Sequence, residues 1–425
     1  MIHVLVLVSS LLVGQTQAPG HEELGVEVRR LVRQLDASEL AQREAAEAEL
    51  VKRGPAVLDL LPLPSDHTSA EVRQRLGRIR QKLQQQVADA AARPSTITLH
   101  ADAMPLSKVL AEFQRQSGNK IVDFRENFGQ QRTDPSLKVN FEKKPFWPAL
   151  DQLLDQAGLA IYPFGEEAVI NVVTAPADKS KRRPARACYS GPFRFEPISA
   201  VARRDLRQSE GSLSVAIETA WEPRLRIIGL TQRMADVVAL DERGRPLAVA
   251  DREAQLDIPT SGEAVAVKLD LPLRLPSRDV RRIASLKGKL YAMIPGKTET
   301  FRFEKLRGAK NVERRIAGVT VTLEEVRKNN EAWEVRMRAR FDDAGDALAS
   351  HRTWIFNNEA FLEGPDGKPI AYDTYETIQQ DKNEVGLAYL FTADPPLDKL
   401  TFVYKTPGSI VNRGFDYELK DIELP

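Results

Sequence analysis

Cysteine is almost missing from this chain. The single residue, Cys188, excludes an internal disulfide framework and a cysteine-rich metal site. Histidine is nearly as scarce: His3, His21, His67, His100 and His351 stand at no zinc-ligand spacing from one another. An excess of charge is lacking too. Lys and Arg total 61 against 60 Asp and Glu, so there is none of the overall basic excess that a protein coating nucleic acid would show. No P-loop, nucleophile elbow, HExxH, dinucleotide-binding glycine fingerprint or EF-hand loop occurs, and Gly211-Ser212 and Gly408-Ser409 lack the flanking glycines that hold a serine on a strained turn. The chain is therefore not read as an enzyme. No catalytic, cofactor-binding or metal-ligating residue is assigned, and no cofactor is expected.

Apolar residues are plentiful at 42%, enough to exclude disorder of the whole chain, and 425 residues exceed one ordinary core. The longest apolar run, VLVLVSSLLV at residues 4–13, has the length of a signal-peptide core and is too short for a bilayer. Thr16-Gln17-Ala18 offers a small-residue cleavage site, although the preceding Met1-Ile2-His3 carries no Lys or Arg and Pro19 follows the cut. Residues 1–18 are expected to be a signal peptide, which places the protein in the periplasm or otherwise outside the cytoplasm. No transmembrane segment is expected.

Residues 22–93 carry helical spacing. Val28, Leu31, Val32 and Leu35 follow the 3.6 period, Asp36 and Ser38 offer a cap, and SELAQREAAEAELVKRG follows with Leu40, Ala45, Ala48 and Leu50 expected inside. Gly54-Pro55 closes it, and Val72, Leu76, Ile79, Leu83 and Val87 mark a third helix. In Arg43-Glu44-Ala45-Ala46, Leu50, Gly54-Pro55 and Val72-Arg73 this segment resembles a HEAT-like helical repeat. A single such unit cannot bury both faces alone.

An internal repeat follows. Residues 97–124 align without gaps on 137–164 at an offset of about 40: Ile97 and Leu99 on Leu137 and Val139, Pro105-Leu106 on Pro145-Phe146, Leu110 on Leu150, Gln116 and Gly118 on Gln156 and Gly158, Ile121 and Phe124 on Ile161 and Phe164. Each copy reads as strand, Pro at the helix start, amphipathic helix, Gly past its end, and a second strand, the grammar of a βαβ unit. His100 and its counterpart Asn140 point off the core by strand alternation. Residues 168–173, AVINVV, are expected to form an apolar edge strand without Lys or Pro, open to strand addition by a partner through Val169, Ile170 and Val172. In Pro105-Leu106, Val109-Leu110, Val139 to Phe141, Pro145, Ala149-Leu150, Leu153-Leu154 and Gly158-Leu159, residues 96–174 resemble the short domain at the N-terminus of secretins and TonB-dependent receptors. The resemblance implies protein contacts in the periplasm and no catalytic residues, and no secretin pore or receptor plug is recognisable downstream.

Residues 175–188 read as a basic linker, with Lys181, Arg182 and Arg183 at its centre as a candidate contact for an anionic partner; no aromatic residue interleaves to stack on a base, and no nucleic-acid partner is expected. Beyond it the period falls to two, as in Leu213, Val215, Ile217 or Val385, Leu387, Tyr389, Phe391. Two antiparallel β-sandwiches are expected, at 189–307 and 310–425, as diverged copies ending in the aromatic pairs Phe301/Phe303 and Phe415/Tyr417. Trp354, Tyr372 and Tyr375, near Phe356, Asp366, Asp373 and Glu376, suggest a site for sugars or a cationic peptide, with sandwich core as the competing account.

The fold class expected is thus multidomain α+β: an N-terminal helical segment, a small βαβ-βαβ domain, then an antiparallel β-sandwich region. The function expected is a non-enzymatic, exported interaction or scaffold protein of the cell envelope with a protein partner. The alternatives are an accessory subunit of an outer-membrane secretion assembly and an envelope hydrolase with a carboxylate site. The oligomeric state is left open by the sequence.

Overall fold

The computed structural model describes residues 19–62, 69–163, 168–176, 187–205, 207, 211–260, 264–329, 331–342, 352–392 and 396–425. The chain is mixed α/β, about 25% helix and 48% strand, with a few helices and many antiparallel sheets. It divides into two units, Met1–Leu83 and Gln84–Pro425. The expected signal peptide and the basic centre of the linker, Lys181, Arg182 and Arg183, lie outside the described residues.

The first unit holds α1 (Pro19–Gln34), α2 (Leu40–Lys52), a 3₁₀ turn (Pro55–Leu60) and the start of α3 (Ala70–Ala91). Val28, Leu31, Leu35, Leu50, Val57, Leu76 and Ile79 are buried, as their spacing requires. The inward face of α2 differs from the expected one. Leu40, Ala45 and Ala48 are exposed, while Ala46, Glu47 and Leu50 are buried. The cause is Glu47, which turns inward to accept from Arg75 Nη1 (2.9 Å) and Arg78 Nη2 (2.8 Å) on α3. Hydrophobic spacing ranks a glutamate as surface, and two arginines on the facing helix reverse that ranking.

Those hydrogen bonds, Arg78's first, hold the Glu47 carboxyl below its ordinary pKa against the opposing effect of burial. A carboxyl depressed in the folded state stabilises above its unfolded pKa, and that stabilisation fades as pH falls through the folded value. The first unit should therefore lose stability on acidification below about pH 4.5. Glu47→Gln should flatten that slope and lower stability at pH 7 by about 1–3 kcal/mol. Helix melting followed between pH 3 and pH 7 reads both, and an unchanged acid slope in the variant would remove Glu47 as its origin.

In the second unit, β1 (Thr96–Pro105), α4 (Leu106–Ser117) and β2 (Ile121–Asp123) are followed by β3 (Ser136–Pro145), α5 (Phe146–Ala157), β4 (Leu159–Tyr162) and β5 (Ile170–Thr174). The first strand and helix of the two copies have the same lengths and stand 40 positions apart, 96–105 on 136–145 and 106–117 on 146–157. Each helix ends on a glycine in the left-handed region, Gly118 at φ +72° and Gly158 at +67°, where a side chain would be strained. Strands β1 and β3 pair antiparallel, with His100 opposite Asn140. Leu110 and Leu150 both enter one core with Phe113, Phe141 and Phe146. Beyond β5, two larger sheets enclose a second core. One has the strands Ala266–Arg274, Gly211–Trp221, Phe193–Arg204 and Cys188–Ser190 in that order; the other is built around Arg282–Pro295. A third core lies between a four-stranded sheet and the five-stranded sheet Lys310–Ile316, Val319–Asn329, Ala332–Phe341, Glu384–Phe391, Thr374–Gln380.

The expected split at 307/310 is corrected by the pairing. Thr298–Phe303 leaves the first β region and pairs Thr401–Pro407 in the second, while the last strand, Ile410–Glu423, returns to pair Arg282–Pro295 along its full length. The two regions thus exchange strands, and the aromatic pairs Phe301/Phe303 and Phe415/Tyr417 sit in different cores from those expected. The two crossing segments run side by side: Gly296 N donates to Ser409 O (2.8 Å) and Gly408 N to Lys297 O (2.9 Å). Fully buried Gln84 fills the crossing, donating to Glu299 Oε1 (2.7 Å) and accepting from Lys297 N. A Cβ at Gly296 or Gly408 would fall 2.5 or 2.9 Å from the Gln84 amide, so a side chain at either position would displace that amide from its hydrogen bonds.

Candidate binding surfaces

The strand proposed from the sequence as an open edge is not one. β5 lies in the middle of a three-stranded sheet, parallel to β2 on one side and antiparallel to β4 on the other. Val169, Ile170 and Val172 are buried. The alternation-free run AVINVV is the mark of a strand covered on both faces, and such a strand is as readily central as marginal.

The aromatic residues come together only in part. Tyr372 and Tyr375 meet edge to face (5.9 Å) in a cluster with Tyr389 and Phe391 that closes the third core. Trp354 packs on Phe341 (5.4 Å) and belongs to the same core. The nearby carboxylates do not converge. Asp366 accepts from Lys368 N within a turn (3.2 Å), and Asp373 accepts from Thr392 N (2.8 Å). The rings are core, and the acids hold backbone.

Buried polar groups in the second unit tie its parts together. Glu222 is fully buried and lies just past the strand Gly211–Trp221. Its carboxylate accepts from Ser95 N (2.9 Å) and Oγ (2.6 Å), Asn119 Nδ2 (3.0 Å) and Arg224 Nε (2.6 Å), while Arg224 also donates to the carbonyls of Ala91 and Arg93 after α3. Thus the end of α3, the start of β1, the turn between α4 and β2 and the sheet meet on one carboxylate. On α5, Asp151 accepts from Arg194 Nε (2.8 Å) and from the Tyr189 hydroxyl (2.7 Å), and Trp147 Nε1 donates to Pro192 O (2.8 Å). Arg194 is 1% exposed and also pairs Glu196 (2.7 Å). Burial pushes the Tyr189 hydroxyl well above its usual pKa, and the Asp151 charge adds to that. Burial likewise raises the Cys188 thiol to about 11, so at neutral pH it is a protonated thiol with little nucleophilic character. Apart from Arg224 with Glu222 and Arg194 with Glu196, the partners stand from tens to more than a hundred residues apart, which hides their pairing from the sequence.

One long edge does lie open. Thr374–Gln380, TYETIQQ, pairs Glu384–Phe391 on one side and no strand on the other among the described residues. Only Tyr375 is half-buried; the other six residues are exposed, and the strand contains neither Lys nor Pro. A bulge falls at Ile378 opposite Gly386, whose missing side chain lets the backbone approach.

Comparison of the chain with protein-family models, curated proteins and solved structures finds no match. The geometry alone carries the functional argument. Among the described residues, no three His, Cys, Asp or Glu side chains gather as a metal site, and no helix is long and apolar enough to cross a membrane.

Proposed function

We propose that this chain is a non-enzymatic protein-binding scaffold of the cell envelope, exported to an extracytoplasmic compartment. On this reading residues 96–174 are a binding-type module like the short N-terminal domain of secretins and TonB-dependent receptors, preceded by a HEAT-like unit and followed by two β-sandwiches that exchange strands. The observation that carries it is the edge Thr374–Gln380, with no strand on its outer side among the described residues and six of its seven residues exposed. An incoming strand gains main-chain hydrogen bonds there without any catalytic group, which is the physics of β-augmentation. Buried carboxylates and guanidinium groups join distant segments, as at Glu222, Asp151 and Arg194, which supports this reading.

Charge on an edge is the natural block to pairing. Thr374→Lys/Ile378→Lys should weaken partner affinity about tenfold or more while leaving thermal melting unchanged, because both side chains are exposed. A partner isolated on the wild-type chain and titrated against both proteins gives the answer. Equal affinities with equal melting would take this edge out of the function.

A further inference from the structure

A cavity of about 380 Å³ opens between the end of the strand Phe193–Arg204 and the loop joining Ala266–Arg274 to Arg282–Pro295. Its floor is apolar, formed by Leu213, Leu275, Val280 and Leu424. Leu213 is 1% exposed and Val280 7%, so the floor is continuous with the core below. Backbone hydrogen bonds fix the walls, from Leu275 N to Gly211 O (3.2 Å) and from Leu424 N to Arg281 O (2.9 Å). Four arginines line it as well: Arg203, Arg204, Arg278 and Arg281, all exposed. Among the described residues no acidic side chain lines the cavity.

The arginines beside it are committed elsewhere. Arg243 and Arg245 pair Asp279, at 2.5 and 3.6 Å, and Arg282 pairs Asp421 at 3.3 Å. The four that line the cavity pair with no carboxylate among the described residues. Like charges gathered together repel, and an anion seated among them relieves that repulsion. Guanidinium forks match the oxygens of carboxylate and phosphate. Arg204, on the same face of its strand as Leu213, and Arg278 and Arg281 of the loop offer more donors than the two oxygens of one carboxylate use and suit a phosphoryl group, with its greater charge and additional acceptors. A free inorganic ion, however, would leave the apolar floor unused. Clefts of this size with apolar walls and a few polar groups are typical of small-molecule sites.

We infer that the cavity binds a phosphate headgroup carried on an apolar chain, the arginines holding the phosphate and the leucine and valine floor taking the first methylenes. This assignment is independent of the edge at Thr374–Gln380. The same phosphate chemistry is offered by a lipid and by free phosphate, and the floor is what separates them.

The test is calorimetric titration of the full chain with dihexanoyl phosphatidic acid below its aggregation threshold, with inorganic phosphate, and with dihexanoyl phosphatidylcholine. The site predicts one saturable event with the phosphatidic acid, at least tenfold weaker binding of inorganic phosphate, and none of the zwitterionic lipid. Arg203→Ala/Arg204→Ala and Arg278→Ala/Arg281→Ala should each weaken it about tenfold or more, and Lys268→Ala, on an exposed strand position elsewhere, should not. If an alanine pair fails to fold, Arg278→Lys/Arg281→Lys keeps the charge, loses the fork and should bind several-fold more weakly than wild type. Phosphate binding as tightly as the lipid would reduce the site to an anion patch and overturn the inference. So would equal binding of the zwitterionic lipid, unchanged affinity in the arginine variants, or binding to anionic vesicles without binding to the monomeric lipid.

Discussion

Glu222→Ala should destabilise the second unit by about 3–5 kcal/mol, the cost of removing one partner from a buried charged network. Its carboxylate gathers four hydrogen bonds from Ser95, Asn119 and Arg224 in a site with no solvent exposure. Without it, the Asn119 amide and the Ser95 N–H face a cavity, and Arg224 keeps its charge with its main acceptor gone. Glu222→Gln should recover little. Every partner is a donor, so the amide NH₂ must face a donor in either orientation. Urea unfolding of wild type and both variants measures this. A glutamine variant that unfolds at the wild-type midpoint would mean the charge itself holds nothing together.

Leu150→Ala should cost about 2–5 kcal/mol, near the upper end, because Leu150 is fully buried among the rings and aliphatics of the core that α4 and α5 share. The strands flanking each helix lie in two separate sheets, β1 with β3 and β2 with β5 and β4, and do not form the βαβ units expected from the repeat. Leu110→Ala should cost less within the same range. Its side chain is 6% exposed and borders a surface groove with Ser107 and Arg125, where water can enter the space it leaves. The two positions are equivalent by repeat, and the structure distinguishes them by what lies outside each helix: α5 is capped by Tyr189, Pro192 and Arg194, whereas α4 faces the groove. Chemical unfolding of the intact chain, followed by the Trp147 environment, tests the order. A Leu110→Ala variant less stable than Leu150→Ala would contradict it.

The repeat was legible because local spacing sets local structure. Pro at the strand end, Gly at the helix end and three-to-four apolar spacing between them act within a dozen residues, and both copies obey them. The outer strands of the β regions were legible for the same reason. What the sequence hid is pairing at a distance. Alternation says which face of a strand is apolar but not which strand lies beside it, so 168–173 read as an edge when it is central, and Thr298–Phe303 read as the end of one β region when it opens the next. Glu47 and Glu222 were invisible for a related reason. A buried carboxylate depends on arginines and amides brought from elsewhere, and nothing in its own neighbourhood announces them. The four cavity arginines come from a strand end and from a loop between two sheets, some 70 positions apart, and the pairing of Phe193–Arg204 and Ala266–Arg274 with the strand between them sets those places side by side.

The most direct test of the binding role places a photo-crosslinking amino acid at Glu376, on the open edge, and separately at Asn140, on the exposed polar face of β3. Both proteins are then irradiated in the envelope of the producing cell. The account predicts a discrete protein adduct from position 376 and none of the same mass from position 140, with the 376 adduct lost when Thr374→Lys/Ile378→Lys is introduced. No adduct at 376, or the same adduct from both positions, would contradict it.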